Sequence, residues 1–216
     1  MKQVFQSLFL LSTFCLILFT SCKDQANTNQ DNSSTQSENP SLKTGPLNQE
    51  EQAHYLSLGK SMAESTFQVM SANLKEALAN GGVQEAISYC NVVALKITDS
   101  LSVANDATIK RTSLKLRNQE NKPSEDELDI LNKYTSSLEK KLEIDPFVVP
   151  FGDDSVKFYA PIYAKDLCLT CHGIVNETLQ QNDLDFITEL YPDDMAIGYK
   201  NGDLRGIWSI KMLRNW

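Results

Sequence analysis

The sequence predicts an α+β domain, with N-terminal helices packed on a small antiparallel sheet, and three observations carry that prediction. Apolar residues recur at three- and four-residue steps in the stretches from about Asn48 to Leu142. After Pro146 the pattern changes to short β-branched and aromatic runs separated by turn residues. Helical and strand-like patterns follow one another rather than alternate, which favours α+β over a parallel α/β sheet.

The chain begins with a leader. Lys2 supplies a positive charge, Leu8 to Thr20 is almost wholly apolar, and Ser21 and Cys22 follow. This is the pattern of a secretory signal over residues 1–21. Phe19-Thr20-Ser21-Cys22 resembles a bacterial lipobox, with Phe19 its least regular member, so Cys22 is expected to carry lipid and become the mature N-terminus. A plain signal peptide or a short anchor is the alternative, although the apolar run is short for a spanning helix. Lys23 stands where an inner-membrane retention signal would place aspartate. That points to a lipoprotein on the periplasmic side of the outer membrane. Residues 22–47 are rich in Asn, Gln, Ser, Thr and Asp. They read as a disordered tether ahead of a domain over residues 48–216.

A first helix is expected from Asn48 to Asn80, with Leu56, Ala63, Phe67, Met70, Leu74 and Leu78 on one stripe. Gly81-Gly82 ends it as a C-cap would. A second helix follows through Val83, Ala86, Ile87, Cys90, Val93, Ala94, Ile97 and Leu101. Asn105 to Pro123 shows no period but holds Arg111, Lys115, Arg117 and Lys122, the densest basic patch in the chain. Ser124 and Glu127 form a capping box for a third helix to about Lys141, with Leu128, Leu131, Tyr134, Leu138 and Leu142 inward. Phe147-Val148-Val149 and Val156 to Tyr163 read as strands around a Gly152-Asp153-Asp154 turn. Asn201-Gly202 predicts a hairpin between Ala196–Lys200 and Asp203–Met212, with Gly206, Trp208, Ile210 and Met212 on one face. No internal repeat is visible.

The net charge is −8, and subtracting the leader's single positive charge, Lys2, gives −9 for the mature chain. Such a balance argues against nucleic acid, whose phosphates call for a basic face. Of the five cysteines, Cys15 leaves with the leader and Cys22 takes the lipid, so Cys90, Cys168 and Cys171 remain. Cys168-Leu169-Thr170-Cys171-His172 is the C-x-x-C-H signature of c-type haem attachment. Two thiols at this spacing can add to the two vinyl groups of one porphyrin, and the adjacent imidazole can reach the iron. The attachment chemistry occurs outside the cytoplasm, in agreement with the leader. A dithiol redox pair, a zinc site built from Cys168, Cys171, Cys90 and His54 or His172, and a structural disulfide are the alternatives. None has its usual sequence context. Opposite His172, the residues leave several candidates open for the sixth position: Cys90, His54, Met62, Met70, Met195, Met212, or nothing. Cys90 has an ordinary alternative as a small core residue.

Four stretches resemble a family of single-haem c-type proteins with a PAS-like fold, long catalogued as a domain of unknown function. They are Ala86-Ile87-Ser88-Tyr89-Cys90 with Ala94; Arg111 to Asn118 with Asn121 and Pro123; Tyr159-Ala160-Pro161-Ile162 leading to Cys168–Gly173; and Tyr191-Pro192-Asp193-Asp194 with Ala196, Gly198-Tyr199, Gly202-Asp203 and Arg205-Gly206. The resemblance implies a PAS-like sheet with a c-type haem insertion. It also implies His172 and Cys90 as iron ligands, with Arg111 and Arg117 beside the haem as partners for its propionates. The chain departs from the family pattern after Arg117, where Gln119-Glu120 separates Asn118 from Pro123.

Members of this family occur alone in the periplasm and as sensor modules of receptors. A thiolate-ligated iron with both axial positions filled points to redox sensing or low-potential electron transfer. Displacement of Cys90 by nitric oxide or carbon monoxide is the alternative. A peroxidase-like enzyme would need an open distal site, and only His54 is left as a conventional distal base. No kinase or methyl-accepting region follows the domain before Trp216, so a signal or electron is expected to pass to a separate protein.

Overall fold

The computed structural model describes residues 45–216; the leader, Cys22 and most of the expected tether lie outside the described residues. The elements run α1 (Gln49–Ala104), β1 (Ala107–Thr112), a 3-10 turn (Gln119–Asn121), α2 (Glu125–Glu139), β2 (Phe147–Phe151), β3 (Ser155–Tyr163), α3 (Asp166–His172), α4 (Gln181–Leu190) and β4 (Leu204–Leu213). The four strands form one antiparallel sheet in the order β1-β4-β3-β2. This is the expected α+β architecture. Among the described residues, no helix is long and apolar enough to cross a membrane.

α1 starts at a capping box, in which Asn48 Oδ1 accepts from Glu51 N and Glu51 Oε2 accepts from Asn48 N. Its two arms meet at Gly81 and Gly82, which leave helical geometry; Gly82 has φ +72° and ψ −157°, a region that favours glycine. The arms pack on the same core. Tyr55, Met62 and Ala63 from the first arm and Leu101 from the second join Ile109, Val156, Phe158, Trp208, Ile210 and Met212 on one sheet face. Leu47 is buried in that core as well, so packing begins ahead of α1.

α2 covers the opposite face, where Leu131 and Tyr134 meet Tyr159 and Ile207. Glu127 reaches back to Ser124 N at 2.9 Å, as the capping box predicts. Two positions of the expected apolar stripe are corrected: Leu128 and Leu142 are exposed, while Glu127 points inward and pairs with Lys110 at 2.6 Å. The inward carboxylate is tolerated because its hydrogen bonds replace water.

The sheet also corrects the expectation at two segments. β1 lies in the segment without period, since an edge strand with Lys110 and Arg111 needs only Ile109 to face the core. Ala196–Lys200 is not a strand. Its backbone and that of the preceding Met195 serve other segments: Met195 N donates to Leu116 O, Gly198 N to Gly173 O and Tyr199 N to His172 O. The Asn201-Gly202 turn is present, but it folds against Ala164 through Gly202 N–Ala164 O and Ala164 N–Asp203 O. β3 and β4 are sheet neighbours, and α3 and α4 are inserted between them in sequence.

Candidate functional site

β4 has ten residues and so spans roughly 30 Å. At one end, Leu213 pairs with Ser155; at the other, Leu204 pairs with Tyr163, where the chain enters and leaves the inserted segment. The C-x-x-C-H sequence forms the end of α3. Helical spacing puts Cys168, Cys171 and His172 on one side of the helix. Leu169, one turn before His172, packs with Ala164, Ala196 and Tyr199 and fixes α3 to the domain. A methyl at Gly173 would overlap Thr178 Oγ1 and the Leu169 carbonyl, so the chain can turn this tightly after His172 only with glycine there.

His172 is held by its backbone and its ring. Its carbonyl accepts from Tyr199 N at 3.0 Å, and Nδ1 lies 2.6 Å from Ala196 O. A carbonyl only accepts, so Nδ1 carries the proton and Nε2 keeps its lone pair. Burial, then Arg117 and Arg205, push the His172 pKa well below its ordinary value, against the opposing pull of the Ala196 bond. The ring is therefore neutral and prepared as an N-donor. The Tyr199 ring stands edge-on to it at 6.4 Å and is itself faced by Lys115 and Arg205 at 5.0 and 5.3 Å.

Cys90 comes to the same region from the second arm of α1, one turn beyond Ile87. Ile87 packs with Leu179, Ile187 and Tyr191, and Cys171 lies against that cluster. Cys90, Cys168 and Cys171 are free and partly buried. Burial raises the Cys90 thiol, with Arg111 and Arg117 opposing, and raises Cys171 to about 11. Cys90 thus sits within electrostatic reach of Cys171, Arg111, Arg117 and Tyr191. Among the described residues, no three His, Cys, Asp or Glu side chains converge closely enough to hold a metal ion.

The basic groups complete the site. Arg117 Nη2 donates to Asp194 Oδ2, Cys171 O and, at 3.5 Å, Ala196 O. Arg111 lies 5.9 Å from the Trp208 ring. The Nε atoms of Arg111 and Arg117 are buried without a hydrogen-bond partner. Arg111, Arg117 and Arg205 all act on His172, and Asp194 is the carboxylate that ion-pairs among them. Three guanidiniums beside a single ion-paired carboxylate make the surroundings of His172 cationic, an arrangement suited to an anionic group.

The other candidates lie elsewhere. His54 stacks on Trp216 at 4.4 Å, at the Leu213 end of the sheet. Met62, Met70 and Met212 belong to the core under α1, and Met195 is exposed. Asp194, Tyr199 and Arg205 appear among the quoted stretches without an assigned role. Nothing local distinguishes them, because each matters only through its approach to His172.

Residues 27–212 match the Tll0287-like family. The chain belongs to that family. Among solved structures, this Tll0287-like chain is similar to the crystal structure of the cyanobacterial heme-protein Tll0287. The two share 23% identity and superpose with a TM-score of 0.52, over 78% of this chain and 98% of the other. At that identity the likeness shows the fold. Among curated proteins nothing matches.

Proposed function

We propose that this protein carries one covalently attached haem c and works in redox sensing or low-potential electron transfer on the periplasmic side of a bacterial membrane. The observation that carries the reading is the neutral His172, at the end of a C-x-x-C-H helix, under the influence of the same two arginines, Arg111 and Arg117, that act on Cys90. Cys168 and Cys171 would hold the porphyrin through thioethers, with His172 and Cys90 on the iron. Arg111 and Arg117, each with a buried orphan Nε, would face the two propionates. The link to a haem protein through the family supports the same reading. When bound, the haem supplies one-electron chemistry. The chain's own contribution would be the Cys90 sulfur, which as a thiolate on the iron would favour the ferric state, and an imidazole held in place by Ala196 O. The partner would be a separate redox or signalling protein. Lipid on Cys22 would tether the domain, most simply to the outer membrane; a mature N-terminal peptide without lipid at Cys22 would count against that address.

The test is the optical spectrum of the mature protein made with a haem-maturation system, beside Cys90→Ala. Low-spin ferric wild type and a high-spin or ligand-exchanged variant are expected. Identical spectra would remove Cys90 from the iron, and absence of covalent haem would defeat the reading. Carbon monoxide binding to the reduced wild type would move the function to gas sensing by displacement of Cys90.

A further inference from the structure

The carbonyl that fixes His172 is shared. Ala196 O lies 2.6 Å from His172 Nδ1, and Arg117 Nη2 approaches the same oxygen at 3.5 Å. That Nη2 also donates to Asp194 Oδ2 at 3.0 Å and Cys171 O at 2.7 Å. The other carboxylate oxygen, Asp194 Oδ1, accepts from Ala196 N at 2.8 Å. One carboxylate therefore holds both the amide of Ala196 and the guanidinium beside its carbonyl. The side chains of Arg117 and Asp194 are only 12% and 5% exposed, so water screens the pair weakly.

We infer that Arg117 and Asp194 act as one unit that sets how strongly His172 donates to the iron. The inference rests on the haem reading above and deepens it by naming the positioning residues of the proximal ligand. An imidazole donates more as the acceptor on its Nδ1–H becomes more negative. The guanidinium draws charge from the Ala196 carbonyl, and the carboxylate offsets it. With Asp194 neutral, Arg117 acts uncompensated, the His172 bond weakens and ferrous iron is favoured. With Arg117 neutral, the carboxylate acts alone, the bond strengthens and ferric iron is favoured. A purely mechanical brace behaves differently, because cutting it from either side loosens the same loop and shifts the iron the same way.

The experiment is a spectroelectrochemical titration of the haem-bearing wild type, Asp194→Asn, Arg117→Gln and the double variant at one pH. Asn at 194 keeps an oxygen for Ala196 N. At a fixed poise the ferric-to-ferrous ratio is expected to fall about tenfold in Asp194→Asn, an upward shift of about 59 mV. It should rise in Arg117→Gln and return to within about twofold of wild type in the double variant. The Nδ1–H proton resonance of His172 in the reduced protein should move with the potential. Shifts of the same sign in both single variants, or none in either, overturn the inference. A wild-type chain with no covalent haem on a stained denaturing gel overturns the haem reading itself, before any variant is titrated.

Discussion

Arg111 points from an edge strand toward Trp208 with a buried, unpartnered Nε. Burial draws its pKa down to about 10, with Cys90 pulling upward and Arg205 downward, so it stays charged at neutral pH. A buried charge without a carboxylate is a cost to the fold and an asset to an anionic ligand. Arg111→Met should therefore have two opposed effects. In haem-free protein it should raise unfolding free energy by about 1 kcal/mol, measured by urea titration. In a haem-maturation host it should lower the yield of haem-bearing protein. Loss of stability in the haem-free chain would instead make Arg111 a structural residue. The covalent part of the candidate site was legible in the sequence because Cys168, Cys171 and His172 lie within five positions and their chemistry is local. Cys90 was legible as a thiol on an apolar stripe, but only folding brings it toward Cys171. Asp194 and Arg205 stand in a stretch that carries the family resemblance, but nothing local gives either a role.

α2 shows what fixes an element once its periodicity has been spent. Only Leu131 and Tyr134 of its stripe are deeply buried, and polar groups complete the attachment. Asp126 pairs with Lys157 at 2.6 Å and accepts from the Tyr159 hydroxyl, while Glu127 pairs with Lys110 at 2.6 Å. Burial alone would raise the Glu127 pKa. Hydrogen bonds from Lys110, Ser124 and Ser209 outweigh it and hold the carboxyl below its ordinary value of 4.5. Asp126 is lowered in the same way, its bonds to Lys157, Tyr159 and Ser124 overcoming burial. A depressed folded pKa gives stability that is complete above the unfolded value and is lost as pH falls through the folded one. Stability should therefore fall on acidification below about pH 4.5. Glu127→Gln, which keeps a capping side chain, should cost about 2 kcal/mol at pH 7 and flatten that fall, read from denaturant midpoints across pH. An unchanged acid slope would place the pH dependence on other groups. The same polar attachment explains which elements could be read in advance. The arms of α1, α2 and the β2–β3 hairpin announce themselves by period and turn chemistry. β1 and the 195–200 segment do not, because their partners are set by distant strands and by His172.

Across the whole molecule, chemistry and closure occupy opposite ends of β4. The Leu204 end receives α3 and the candidate site, while the Leu213 end holds a clasp between the start and finish of the described chain. Arg214 Nη2 lies 2.9 Å from Glu51 Oε2, with both side chains nearly inaccessible at 5% and 3%. Arg214 also donates to the carbonyls of Gly45 and Pro46, and His54 stacks on Trp216. This clasp ties the N-terminus of α1 to the end of β4, one of the two inner strands, so it closes the fold without touching the thiols or His172. Arg214→Ala would leave Glu51 charged and buried, at a cost of about 3 kcal/mol. It would also release two backbone carbonyls. The expected outcome is a lowered denaturant midpoint with an unchanged visible spectrum in the haem-bearing protein that remains folded. If the spectrum changed at denaturant concentrations where the far-ultraviolet signal is intact, the two ends of β4 would be coupled. The long first helix, which runs from the clasp through Gly82 to Cys90, would be the physical connection between them.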